Sequence, residues 1–431
     1  MTKTKVHKLL RSPTRFITRG AVLALMLGPA PVVRPQDQVK PTGTPIEVLN
    51  ADRLPPDDIP AMRTPLGIAN DYKPWIAQLK SGELLLVAFY SREVSAKQKA
   101  QGKSRSERAV FWRSKDGGRT WSDREERPDI TGREFALNVL SDGVILMPCH
   151  FLRQDANNKA GHTYSKLFRS VDNGRSWKET RIGPKGFPRN AVTATDWTPV
   201  EVPDPASLGG RLVLFGVSVQ HGQERAPDNV YLWRSGNSGR SWGKSLNPDT
   251  AGWIDVDGFF SQSTTYRAGS GKLLHALRVD RTGPHWLLPG TEMIKQEAGD
   301  QGDRMMLWES LNNGASWQKH DAHGTFGTYG EMYPRFLQLK DERLLLTFTV
   351  RSNSSDGRAL GLRAIISYDD GDTWDFKRDR LVIDAQNVGP SGGGFGNTIQ
   401  LDDGTLVSCY SYRGKDGATH VEAVRWRLPE G

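Results

Sequence analysis

Along most of the chain, apolar positions come in short runs, broken by turn-forming residues. WIAQLKSGELLLVAF (75–89), FALNVLSDGVILMPCHF (135–151), GGRLVLFGVSV (209–219), STTYRAGSGKLLHALRV (263–279), PRFLQLKDERLLLTFTV (334–350) and NTIQLDDGTLVSCYSY (397–412) each read as strand, tight turn, strand. Each run is short and broken by a tight turn, which favours strands. The third run has a poorly defined first strand, with TPVEV (198–202) as its candidate. A further apolar stretch follows five of them: AVFWRS, KLFRS, VYLWRS, MLWES and RAIIS.

Each of those stretches runs into a repeated phrase. The five copies are SKDGGRTW (114–121), SVDNGRSW (170–177), SGNSGRSW (235–242), SLNNGASW (310–317) and SYDDGDTW (367–374). The shared frame is Ser-x-(Asp/Asn)-x-Gly-x-(Ser/Thr)-Trp, with third positions 56, 65, 75 and 57 residues apart. Five matches in one frame indicate repeated supersecondary units. The phrase suits a hairpin turn: an Asp or Asn side chain accepts from nearby backbone N–H groups. Gly takes a conformation that other residues resist, and Trp opens the next strand as an apolar plug. These acids are therefore assigned to folding. Strand, strand, strand, box and a fourth strand after the Trp make a four-stranded unit, and six such units predict an all-β, six-bladed β-propeller of antiparallel blades. The sixth unit has no box, and HVEAVRWRL (420–428) ends it one strand short. PIEVLN (45–50) is a spare strand, expected to complete the last blade and close the ring so that no edge stays open.

The boxes resemble the Asp-box (BNR) repeats of the sialidase superfamily, over residues 45–428. The resemblance implies a sialidase-like propeller and a glycoside hydrolase removing a terminal sugar from a glycan, an exo-α-sialidase or a related exo-glycosidase. Sialidases use three arginines on the substrate carboxylate, an Asp acid/base, and a Tyr nucleophile assisted by Glu. Their Phe-Arg-Ile-Pro motif is absent, with MRTPLGI and Arg63 the nearest substitute. FGNTIQLDDG puts Phe395 in the place of the nucleophilic Tyr, and Tyr410-Ser411 stands where the Glu is expected. Arg278 and Arg358 fit the second and third arginines.

Blade geometry sends the short turns and boxes to one face and the long loops to the other. Those loops (91–108, 152–164, 219–229, 279–304 and 351–360) and the heads of the inner strands are where function is expected. The inner-strand heads carry Asp71, Tyr72 and Lys73; Arg133 and Glu134; Arg189, Asp196 and Glu201; Asp255 and Asp257; Tyr329, Glu331, Tyr333 and Arg335; Ser391, Phe395 and Asn397. The loops add His221, Arg278, Asp280, His285, Trp286, Arg351 and Arg358. Carboxylates, aromatics and arginines on one rim suit acid–base work, stacking on a sugar ring and holding an anion. Glu331, Tyr333, Asp255 and Asp257 are the catalytic candidates. Asp71, Lys73, Arg133, Glu134, His221, Arg278, Arg335 and Arg358 are the substrate-binding candidates. Three readings stay open: Tyr333 with Glu331 as a displaced tyrosine–glutamate pair; Glu331 with Asp255 or Asp257 as a carboxylate pair, as in exo-arabinanases of similar fold; and a glycan-binding propeller without turnover. Tyr329-Gly-Glu331 to Arg335 and Asp255 to Phe259 are the densest clusters.

Charge and composition refine this picture. Residues 1–36 hold Lys3, Lys5, Lys8, Arg11, Arg15, Arg19 and Arg34 around the apolar run AVLALMLGPAPVV. That 13-residue run is too short to span a bilayer and reads as a signal peptide, followed by a linker (37–44) and the propeller (45–431). Export to the periplasm or exterior is expected, without stable membrane insertion once the signal is removed. The seven basic residues supply most of the formal net charge of +9 and leave about +2, no footprint for nucleic acid. Cys149 and Cys409, the only cysteines, are expected as buried core thiols. His320 and His323 have helical spacing but sit in a crossing, so no metal is expected. GPSGGGFG lacks the following helix a phosphate site uses, and no cofactor is expected.

Overall fold

The computed structural model describes residues 43–159, 164–180, 192–195, 197–220, 228–242, 254–256, 263–279, 304–320, 326–327, 330–351, 361–384 and 393–429. The expected signal peptide, residues 1–36, and most of the linker lie outside them. Six antiparallel sheets form a six-bladed β-propeller. Blade 1 runs Tyr72–Gln78, Leu84–Arg92, Ser106–Ser114 and Glu125–Thr131 from axis to rim. The inner strands of blades 2, 4, 5 and 6 are Asn138–Val139, Ser263–Arg267, Glu331–Gln338 and Phe395–Gln400. Blade 3 has a broken inner strand: Val192–Thr195 and Val200–Pro203 pair with opposite ends of Arg211–Gln220, and the second piece confirms the TPVEV reading. Among the described residues no helix is long and apolar enough to cross a membrane.

The ring closes through an N-terminal strand, as expected, but through a different segment. Ala61–Leu66 pairs along Thr419–Trp426 as the outer strand of blade 6. PIEVLN instead supplies Glu47–Leu49, which adds a fifth strand to the rim of blade 5 against Arg380–Val382. Pro65 hides the closing strand in the sequence, yet an outermost strand tolerates a proline because one edge needs no ladder donor. Ile46, Val48, Leu54 and Ile59 are buried with Leu345, Ala364 and Leu381 beneath this strap. Arg63 is thereby placed in the body of the protein. It bonds the Tyr410 hydroxyl at 2.9 Å, Glu422 at 3.1 Å and the Ile383 carbonyl at 2.8 Å, so it is a staple between blades 5 and 6.

The repeated turns build one geometry. In the first, Asp116 accepts from the backbone of Thr120 at 2.9 Å and from its hydroxyl at 2.6 Å. Ser114 Oγ takes the Gly118 N–H at 2.8 Å. Asp172, Asn237, Asn312 and Asp369 receive the matching backbone bond. The glycine has positive φ in every copy, 87° at Gly371. A Cβ there would stand 2.7 Å from Leu274 of the neighbouring blade, so the glycine also lets adjacent blades meet. Packing is blade against blade throughout, for example Ile76, Leu86 and Trp112 of blade 1 on Val407, Val421 and Ala423 of blade 6. Cys149 and Cys409 are buried free thiols.

Candidate active site

At the axis, a residue at or just before three inner strands takes a left-handed conformation. Pairing slips between Tyr72 and Trp75 in blade 1 and between Met332 and Arg335 in blade 5. Lys73, Glu134 and Tyr333 have φ of 49°, 54° and 56°, a left-handed conformation that costs a side-chain-bearing residue about 1–3 kcal/mol. Strain of this kind at bulges re-aims side chains. Here it brings all three to one cleft, lined also by Trp75, Phe135, Trp197, Arg335 and Phe395.

The cleft is polar at its centre and aromatic at its walls. The Lys73 ammonium bonds the Glu134 carboxylate and lies 3.9 Å from the Phe395 ring centroid and 4.9 Å from that of Tyr333. Tyr333 packs edge-on to Phe395, centroids 4.5 Å apart, and its hydroxyl accepts from Arg278. Arg335 stacks on Trp197 at 3.9 Å and Trp75 at 4.7 Å and donates to Thr264 Oγ1 at 3.0 Å. Arg351 lies over the other wall, 4.3 Å from the Phe395 centroid. Burial pushes Lys73 down to about 7 against the pull of Glu134. Glu134 goes the other way: burial would raise it, but Lys73, His150 and Arg133 outweigh that and hold it well below the usual carboxylate range. Burial pushes His150 down to about 4. The cleft therefore holds one firmly ionised carboxylate and one lysine that exchanges its proton near neutrality.

The sequence-derived candidates divide. Lys73, Glu134, Tyr333 and Arg335 line the cleft, Arg278 holds the Tyr333 hydroxyl, and Arg133 stands behind Glu134, its Nε 3.6 Å from Oε1. Glu331 does not join them. It is fully buried and bonds Arg380 at 2.6 Å, its other oxygen lying toward Gly327. The register slip after Met332 separates the two residues, so Tyr333 faces the axis while Glu331 faces the blade 4 side. Asp71 is also fully buried, in a two-pronged pair with Arg124 at 2.8 Å per bond, and caps the Ile68 N–H. Asp255 lies on Ile254–Val256, the outermost strand of blade 3, and not at the head of blade 4's inner strand, which starts at Ser263. Glu201 serves the opposite face, accepting from Ser141 of a short turn at 2.7 Å. Asn397 staples blades 6 and 1 through both backbone groups of Ile76. Asp257, His221, Arg358, Arg189, Asp196, Asp280, His285, Trp286, His323, Tyr329 and Ser391 lie outside the described residues.

Trp75 and Trp197 were missed. Their signal was present: both are tryptophans outside the repeated boxes, at or just before inner strands. Among the described residues one group has metal-ligand spacing, Glu309, His320 and Asp372, within 4.8 Å of one another. The Lys272 ammonium already bonds Asp372 there, so a cation of the protein's own occupies that corner.

No family model matches the sequence, and no curated protein matches it. Solved structures do. A Dyadobacter fermentans protein of unknown function superposes with a TM-score of 0.57 at 18% identity, over 89% of this chain and 98% of that one. A Hadza microbial sialidase gives 0.54 at 14% identity, over 83% of this chain and 65% of its own length. The leech intramolecular trans-sialidase complexed with 2,7-anhydro-Neu5Ac gives 0.53 at 12% identity, over 84% and 68%. At these identities the comparisons establish a sialidase-like propeller fold.

Proposed function

We propose that this chain is an exported glycoside hydrolase that releases a terminal acidic sugar from a glycan. The observation that carries the reading is the Tyr333 hydroxyl, held by Arg278 in the same cleft as the Lys73–Glu134 pair. Tyr333 Oη is the nucleophile. It forms a bond to the anomeric carbon as the glycosidic C–O bond breaks, the departing oxygen takes the phenolic proton passed on through Lys73, and water later releases the sugar and returns a proton to Tyr333 Oη. The Arg278 guanidinium stabilises the phenolate as its proton leaves. Lys73, poised near neutrality, is better matched to take that proton than Glu134, which stays ionised and holds Lys73 in place. Trp75, Trp197 and Phe395 give the sugar ring apolar faces, and Arg335 and Arg351 favour a ligand carboxylate. Export rests on the composition of residues 1–36.

The test is a hydrolysis screen of the purified chain on aryl sialosides, uronides, arabinosides and rhamnosides. Release of an acidic sugar, lost in Tyr333→Phe, supports the reading; release of a neutral sugar alone overturns its substrate class. Phe395 at the expected tyrosine place favours a second reading, a glycan-binding propeller without turnover. Binding with no release from any substrate would favour that one.

A further inference from the structure

We propose that Phe395 is a positioning residue of the central cleft: its ring gathers the Lys73 ammonium and the Arg351 guanidinium at the axis, and so holds the proton acceptor and a carboxylate-binding group against one surface. The proposal rests on the acidic-sugar reading above. Phe395 opens the inner strand of blade 6 and is 4% exposed. A glycine stands on each side of it. Gly394 has φ of 77°, and a Cβ there would meet the Gly361 carbonyl oxygen of blade 5 at 2.5 Å. Its N–H donates to the Ser411 carbonyl at 2.6 Å, and its carbonyl accepts from Thr349 Oγ1 at 2.7 Å. A Cβ on Gly396 would lie 1.7 Å from the Cys409 carbonyl oxygen. Glycine alone allows approaches this close, so the ring projects from a backbone fixed on both sides.

Two cations converge on that ring. Lys73 Nζ lies 3.9 Å from its centroid and the Arg351 guanidinium carbon 4.3 Å. Of the three rings around Lys73 it is the nearest, ahead of Tyr333 at 4.9 Å and Tyr72 at 5.6 Å. The cations come from different blades. Lys73 sits on the inner strand of blade 1, and Arg351 directly follows Leu344–Val350 of blade 5. Like charges repel, and the negative face of an aromatic ring attracts each of them, offsetting that repulsion. Tyr333 and Tyr72 meet the same ring edge-on, centroids 4.5 and 5.4 Å away, so the reacting tyrosine is set against it as well. Among the described residues, the other charged or titratable groups facing Lys73 are Glu134, bonded to it, Arg133 beside that carboxylate, and His150 of blade 2.

The consequence is electrostatic. The ring favours Lys73 with its proton on and keeps the ammonium beside Tyr333. With the negative face weakened, Lys73 releases its proton at lower pH. The pH above which it can accept the Tyr333 proton falls with it. Arg351 loses the same support, and its hold on a ligand carboxylate loosens.

Replacing Phe395 in the full chain by mono-, di- and trifluorinated phenylalanine keeps the ring's shape while weakening its negative face in steps. Without ligand, urea midpoints over a range of pH show where stability begins to rise, at about 7 in wild type, as Lys73 gives up its proton in the folded chain. That onset, absent in Lys73→Met, should move down across the series by about half to one pH unit. The acid limb of kcat/KM on an aryl sialoside or aryl uronide should move with it. Phe395→Leu, which has no ring, should show the full shift and bind N-acetylneuraminic acid or D-glucuronic acid about two- to fivefold more weakly through Arg351. An onset and a limb that stay at the wild-type pH throughout the series overturn the proposal. So does a loss of rate by one factor at every pH, the mark of a ring that only packs. If the ligand-free onset moves along the series but wild type neither binds nor cleaves an acidic sugar, the hold of Phe395 on Lys73 stands and the acidic-sugar reading is what has failed.

Discussion

Replacing Glu331 by Gln tests whether that residue belongs to the chemistry or to the frame. Both side chains of the Glu331–Arg380 pair are fully buried, and they meet at 2.6 Å. Taking the carboxylate charge away removes this ion pair from the buried guanidinium. Charges about 4 Å apart at an effective dielectric of 20 attract by about 4 kcal/mol, and breaking a buried pair from one side costs about 3–5 kcal/mol in measured cases. The Phe376 carbonyl, 2.9 Å from Arg380, and a neutral Gln recover part of this, so about 3 kcal/mol is expected. Urea denaturation of wild type and Glu331→Gln reads it directly as a lowered midpoint at unchanged slope. The double replacement Glu331→Leu with Arg380→Met should regain most of the loss, because the apolar pair needs no charge compensation. Turnover measured well below the unfolding transition should stay within a few-fold of wild type. Unchanged stability with turnover abolished would refute the reasoning and return Glu331 to the catalytic set.

Tyr333→Phe should cut turnover by about a hundredfold or more while the Kd for an acidic sugar moves only a few-fold; equal losses in both would make Tyr333 a binding group, as titration and initial rates would show. Lys73 makes stability depend on pH. Its folded pKa is depressed to about 7 from 10.5, so between those values the unfolded chain binds the extra proton. Stability should therefore rise with pH across that window, by up to about 1.4 kcal/mol per pH unit, and be lost again on acidification toward 7. Lys73→Met should flatten this slope, as urea midpoints at a series of pH values will show. Gly371→Ala should destabilise by about 1–3 kcal/mol, since φ is 87° and the new methyl meets Leu274, with activity unchanged in the same rate assay.

The boxes carried the architecture because their chemistry is local. Asp116 needs only Ser114, Gly118 and Thr120 to make its turn, and all lie within the phrase that the sequence repeats. The cleft was legible in part for the opposite reason. Lys73, Glu134, Tyr333 and Arg335 stood out as reactive types at strand heads, and those heads do converge. Strand alternation, however, places Glu331 and Tyr333 on one face, and only the bulge between them sends them apart. Asp255 looked like the start of blade 4 because nothing local marks where an outer strand ends and a crossing begins. Asp71 reads as free until Arg124, 53 residues later, folds back on it.

The N-terminal strap gives the molecule a property of timing. Glu47–Leu49 waits for Arg380–Val382, and Ala61–Leu66 waits for Thr419–Trp426, partners more than three hundred residues downstream. As the chain emerges from the ribosome or a translocation channel, each middle blade can form from neighbouring sequence, but the ring stays open until the last strand arrives. Loop closure over that span is the entropically late event, and until then the edges of blades 5 and 6 are exposed. A chain truncated by its final strand should accumulate as an open, association-prone arc, and a circular permutant joining Trp426 to Ala61 through a short linker should close its ring sooner than the parent chain.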